Sequence, residues 1–191
     1  MKRRKAIARI LLIGGGSIAA YSGYKWWDWN KGPDIEYVEH NKDLLAALAE
    51  AIIPKTDSPG AKEAGVDEFI TVMVKDCTER KSQNKFIDGL KELERYCSSS
   101  FSKSFQQCSP QEQQQTLQHF EQRGKSNNGI IGKVENRFFG KSFFATLKSY
   151  ATEGYCTSEA GATKGLSYLY IPGKYIGCMP LQPGQKSWAT H

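Results

Sequence analysis

Three histidines, His40, His119 and His191, and five cysteines, Cys77, Cys97, Cys108, Cys156 and Cys178, are the side chains of this 191-residue chain best suited to ligate a metal or exchange electrons. Their spacing argues against both. No histidine stands beside a cysteine pair at zinc-ligand spacing, no Cys-x-x-Cys-His segment could attach haem, and no tight cysteine cluster suits an iron–sulfur centre. Ser158, in TSEAG, lacks the strand–turn–helix setting of a nucleophile elbow, and its expected work is helix capping with Glu159 beside it. GGGS at residues 14–17 imitates a phosphate loop without the following lysine. Asp67-Glu68 and Glu92 with Glu94 read as solvated helix faces. The expectation is a chain with no catalytic residues, no cofactor-binding residues and no metal site of its own.

The remaining chemistry of the cysteines is oxidation. Cys97 and Cys108 flank a short polar stretch between two helices and form the first candidate disulfide. Five cysteines leave one odd thiol, either inert and buried or joined to another chain.

A disulfide requires an oxidising compartment, and the N-terminus carries an address for one. Residues 1–31 hold Lys2, Arg3, Arg4, Lys5, Arg9, Lys25 and Lys31 against the single acid Asp28. The rest of the chain has equal numbers of basic and acidic groups, so the net charge of +6 lies in the leader. A balanced body offers no field to gather a polyanion, and no nucleic-acid partner is expected. The basic start precedes the uncharged ILLIGGGSIAAYSGY, the layout of an export signal. Its glycines make it weakly hydrophobic, and Arg3-Arg4 heads it, which points to twin-arginine export. The leader departs from that pattern two places after the pair, where Ala6 precedes Ile7 in place of an aromatic or leucine. An uncleaved anchor in the inner membrane is the other reading. Ile10–Trp27 is barely long enough to cross a hydrocarbon core about 30 Å thick, and Trp26, Trp27 and Trp29 suit its boundary. In both readings the body is periplasmic.

Residues 36–191 have the length of one domain. Leu44, Leu45, Leu48 and Ile52 share a helical face that Pro54 ends, and Val66, Phe69, Ile70, Met73, Val74 and Cys77 form a second stripe over 66–79. A third helix is expected from a Ser82 cap, with Phe86, Leu90, Leu93 and Cys97 facing inward. Ser109-Pro110-Gln111-Glu112 spells a capping box for a fourth, running to Gly124. Phe138, Phe139, Phe143, Phe144, Leu147 and Tyr150 mark a fifth, ending before Gly154. With no sustained alternation for strands, the expected fold class is all-α, five or six helices followed by an irregular Pro/Gly-rich C-terminal tail.

The run GYCTSEAGATKGLSYLYIPGKYIGCMPLQPGQKSWA from Gly154, and LAALAEAIIPKTDSPGAKEAGVDEFI at residues 45–70, resemble the closing and opening regions of the gluconate 2-dehydrogenase subunit 3 family. Tyr155, Ser158, Glu159, Gly161, Tyr168, Pro172, Gly173, Gly177, Cys178 and Pro180 fall on the closing pattern. Pro54, Thr56, Asp57, Pro59, Gly60, Ala64 and Gly65 fall on the opening one. Cys156 departs from the tyrosine of that pattern. The resemblance implies a small exported subunit without catalytic residues, partnered with a large FAD-dependent dehydrogenase of the glucose–methanol–choline type and a multihaem cytochrome c. Its signal would carry the folded, flavin-loaded partner across the membrane. Tyr155, Tyr168, Tyr175, Cys178 and Trp188 become the candidate partner contacts, since aromatic side chains concentrate in interface cores. A free-standing enzyme and a membrane-tethered structural protein are the rival readings.

Overall fold

The computed structural model describes residues 31–125, 142–171, 173–174, 177–178, 180–181 and 183–189. Arg3 and Arg4 with the leader, the stretch containing Phe138 and Phe139, and Tyr175 lie outside the described residues. All described helices belong to one unit, Asp34–His191. They are α1 (Ile35–His40), α2 (Lys42–Ile52), α3 (Val66–Asp76), α4 (Arg80–Phe101), α5 (Pro110–Lys125) and α6 (Phe143–Thr157). A 3-10 turn, Phe105–Gln107, joins α4 to α5, and a π-type turn, Gly161–Gly165, follows α6. The described residues contain no strand, only an isolated parallel bridge between Ser167 and Trp188.

The expected stripes form the core. Leu44, Leu45 and Leu48 of α2, Val66, Ile70 and Val74 of α3, and Phe86, Leu90, Leu93 and Cys97 of α4 are buried together. Burying each large aliphatic or aromatic side chain contributes about 1.5–3 kcal/mol. Cys77, expected on the α3 stripe, is exposed instead, because α3 ends at Asp76 and Cys77 is its C-cap. Helix α6 packs against α2, α3, α4 and α5, and its stripe Phe143, Leu147, Ala151, Tyr155 forms the centre of the bundle. Phe143 meets Phe86 at 5.3 Å between ring centroids and Phe120 of α5 at 6.0 Å.

Two helix ends differ from expectation. Gly154 does not end α6, which runs on to Thr157; a β-carbon at Gly154 would stand 2.7 Å from the Phe69 ring, so the glycine serves close helix packing. Helix α4 begins at Arg80 with Glu79 as its N-cap, ahead of Ser82. The determinant there is tertiary: Gln83 Nε2 donates to the carbonyls of Val74 and Lys75, each at 2.8 Å, and closes the otherwise unsatisfied end of α3. The α5 start matches its reading. Ser109 N donates to Glu112 Oε2 at 2.6 Å and Glu112 N to Ser109 Oγ at 3.4 Å, a reciprocal capping box.

Candidate partner-docking surface

The loop after α2 is closed by its own helix. Glu50, in the last turn of α2, accepts the amides of Lys55 and Lys62, both at 2.9 Å. Its carboxylate lies where a β-carbon at residue 60 would be, so Gly60 is required for the approach. Ala61 is fully buried and donates to Ile53 O at 3.0 Å, while Gly65 takes the left-handed φ of 68° that starts α3. Thr56 Oγ1 accepts from the Ser58 amide at 3.4 Å and holds the turn.

The region after α6 is built against this loop. The Tyr155 hydroxyl donates to Pro59 O at 2.8 Å across 96 residues of sequence, inside the protein. Ser158 caps the turn as expected, its Oγ donating to Tyr155 O at 2.8 Å and accepting the Gly161 amide at 3.0 Å. At Gly161 a β-carbon would fall 1.9 Å from the Tyr155 carbonyl oxygen. The chain then returns on itself: Ser167 N donates to Ser187 O at 2.8 Å, Ala189 N to Ser167 O at 2.9 Å, and Lys186 Nζ to Lys164 O at 2.6 Å.

Tyr155 was expected to face a partner, and the structure corrects this: it is 8% exposed because its ring fills the space between α6 and the opening loop. Tyr155→Phe removes the only donor in that contact and leaves a buried carbonyl wanting a partner, so it is expected to lower stability by about 1–2 kcal/mol. Chemical denaturation of the full chain measures that loss, with little change in slope.

Tyr168 and Trp188 are each partly open to solvent, and the bridge between Ser167 and Trp188 brings their two segments of chain side by side; Cys178 is exposed. The sequence reading missed the strongest members of the surface. Tyr168, Leu169, Tyr170 and Ile171 form four consecutive exposed apolar residues, with Tyr170 84% and Ile171 75% accessible, and Leu181 is 84% accessible. A soluble chain seldom leaves such a run in water unless something covers it. The available signal was SYLYIP itself, an apolar run with neither helical nor strand period, ending at proline.

No comparable preparation for catalysis exists among the described residues. No group of three or more His, Cys, Asp or Glu side chains converges as a metal would need. His119 stacks on Tyr96 at 4.5 Å and 15°, a packing role, and His40 Nδ1 lies 2.8 Å from Glu36 O. A polar groove lined by Tyr37, Lys91, Glu94, Arg95 and Lys103 has its charges engaged. Lys91 pairs with Asp34 at 3.0 Å and Lys103 with Glu112 at 3.2 Å. The Tyr37 hydroxyl donates to Glu94, and burial together with that carboxylate holds the phenol well above its ordinary range, far from use as a base. Cys97 and Cys108 are buried free thiols in the structure. No described helix is long and apolar enough to cross a membrane.

Residues 39–173, more than half of the chain and inclusive of both the opening loop and the exposed run, match the gluconate 2-dehydrogenase subunit 3 family, and the chain belongs to it. No curated protein and no solved structure matches the chain.

Proposed function

We propose that this chain is the non-catalytic small subunit of a periplasmic, FAD-dependent sugar or sugar-acid dehydrogenase, whose large flavoprotein it stabilises and escorts through twin-arginine export. The observation carrying this reading is the exposed run Tyr168–Ile171 within the family-matched span. The helical core and the Tyr155–Pro59 bond hold the base of that run in place, so little conformational entropy is lost there when a partner covers it. FAD belongs to the large subunit, and a multihaem cytochrome c is the expected electron acceptor beside it. The Arg3-Arg4 leader supplies the export signal and contact with the inner membrane. Export in the folded state is what a flavin loaded in the cytoplasm requires.

Activity of separated components tests the assignment of the chemistry. Sugar oxidation with an artificial electron acceptor is expected from the complex and from the large subunit, and none from this chain alone. Turnover by the isolated chain would make it an enzyme and remove the reading.

A further inference from the structure

We propose that Cys97 and Cys108 become a disulfide that locks the connection between α4 and α5 onto the helical core. Cys97 is fully buried on the last turns of α4, and Cys108, 6% exposed, follows the 3-10 turn. The two side chains belong to one buried cluster, where Cys108 adds to the upward push that burial gives the Cys97 thiol, and Cys97 Sγ lies 3.7 Å from Thr116 Oγ1. The backbone that brings them together is fixed on its own account. Ser102 reverses the chain at a left-handed φ of 55°, and Ser104 and Gln107 form a reciprocal cap across the turn. Phe105 is fully buried, and its carbonyl accepts Gln113 Nε2 at 3.0 Å.

The oxidant is an external disulfide, either oxidised glutathione or a thiol–disulfide oxidoreductase of the export compartment. Burial pushes the Cys97 thiol up to about 11, and its sulfur has no access to solvent, so Cys108 is the first nucleophile. Its thiolate, having given its proton to solvent, attacks one sulfur of the external disulfide and releases the other as a thiolate. Cys97 then loses its proton, displaces the second external sulfur, and closes the internal bond. Two protein thiols are oxidised, and one external disulfide is reduced to two thiols.

The inference rests on the proposed export only for its compartment, so the test has two arms. Full chain recovered from the periplasm is alkylated in denaturant without reductant and digested with trypsin, which cuts after Arg95, Lys103 and Arg123. The expected product is peptide 96–103 linked to peptide 104–123, separating on reduction. Full chain made in a reducing cytoplasm and treated with oxidised glutathione while folded should yield the same linked pair, whatever the native compartment. Its melting temperature should rise by roughly 5–10 °C on oxidation, and Cys108→Ala should abolish that redox dependence. Alkylation of both cysteines in the glutathione-treated chain, or their linkage to Cys77, Cys156 or Cys178 instead, would overturn the proposal. A linked pair only in the glutathione-treated arm upholds the disulfide chemistry and counts against export.

Discussion

Replacing Arg3 and Arg4 together with lysine is expected to leave both this chain and its large flavoprotein partner in the cytoplasm, with periplasmic dehydrogenase activity falling to background. The substitution keeps the charge of the leader, so any loss is due to the planar guanidinium pair and not to net positive charge. Fractionation followed by immunoblotting of both subunits reads the result. If the partner appears in the periplasm at its normal level while this chain is retained, the partner has its own route and the escort role is wrong. If both are exported normally, the Arg3-Arg4 reading of the leader fails.

Tyr170→Asp combined with Ile171→Asp is expected to separate the subunits. Both side chains are already largely in water in the isolated chain, so the double substitution should move its melting temperature little. In a complex each would bury apolar surface worth about 1.5–3 kcal/mol, and a buried unpaired carboxylate adds a further penalty. Their joint loss corresponds to at least a roughly hundredfold weaker association. Titration of the purified large subunit with wild-type and variant chains measures this. A variant that binds as tightly as wild type would place the interface elsewhere on the bundle. In cells the same variant should still export itself while leaving the flavoprotein behind, the converse of the arginine result.

How far this surface could be read from sequence depends on whether neighbours along the chain or distant residues fix each position. The inward faces of α2 and α4 follow from spacings of three and four residues, and the Ser109–Glu112 capping box is complete within four residues; both were legible. Tyr155 was not. Its burial depends on Pro59, 96 residues away, and an aromatic residue in a tail-proximal segment looks the same whether it closes a core or faces a partner. Gly154 was misread for a related reason, since a glycine that admits the Phe69 ring is indistinguishable in sequence from one that ends a helix. Leu169, Tyr170 and Ile171 escaped notice because hydrophobic run and core strand share one signature, and only accessibility tells them apart.

The family motifs thus have a structural meaning that the pattern alone does not supply. Gly60, Ala61 and Gly65 shape the opening loop, Ser158 and Gly161 shape the closing turn, and Tyr155 joins the two. Of these, Gly60, Ala61, Tyr155 and Gly161 are buried, Ser158 is half-buried and Gly65 is exposed. Their joint effect is to hold the base of the exposed run where another protein can take it up.

Affinity purification of the tagged full-length chain from envelope extracts, followed by the absorption spectrum and mass spectrometry of what co-elutes, tests that role most directly. The expected result is a single large chain in equimolar amount whose spectrum is that of bound flavin, lost when Tyr170 and Ile171 are replaced by aspartate. Recovery of this chain from the envelope with no flavin-containing protein attached would contradict it.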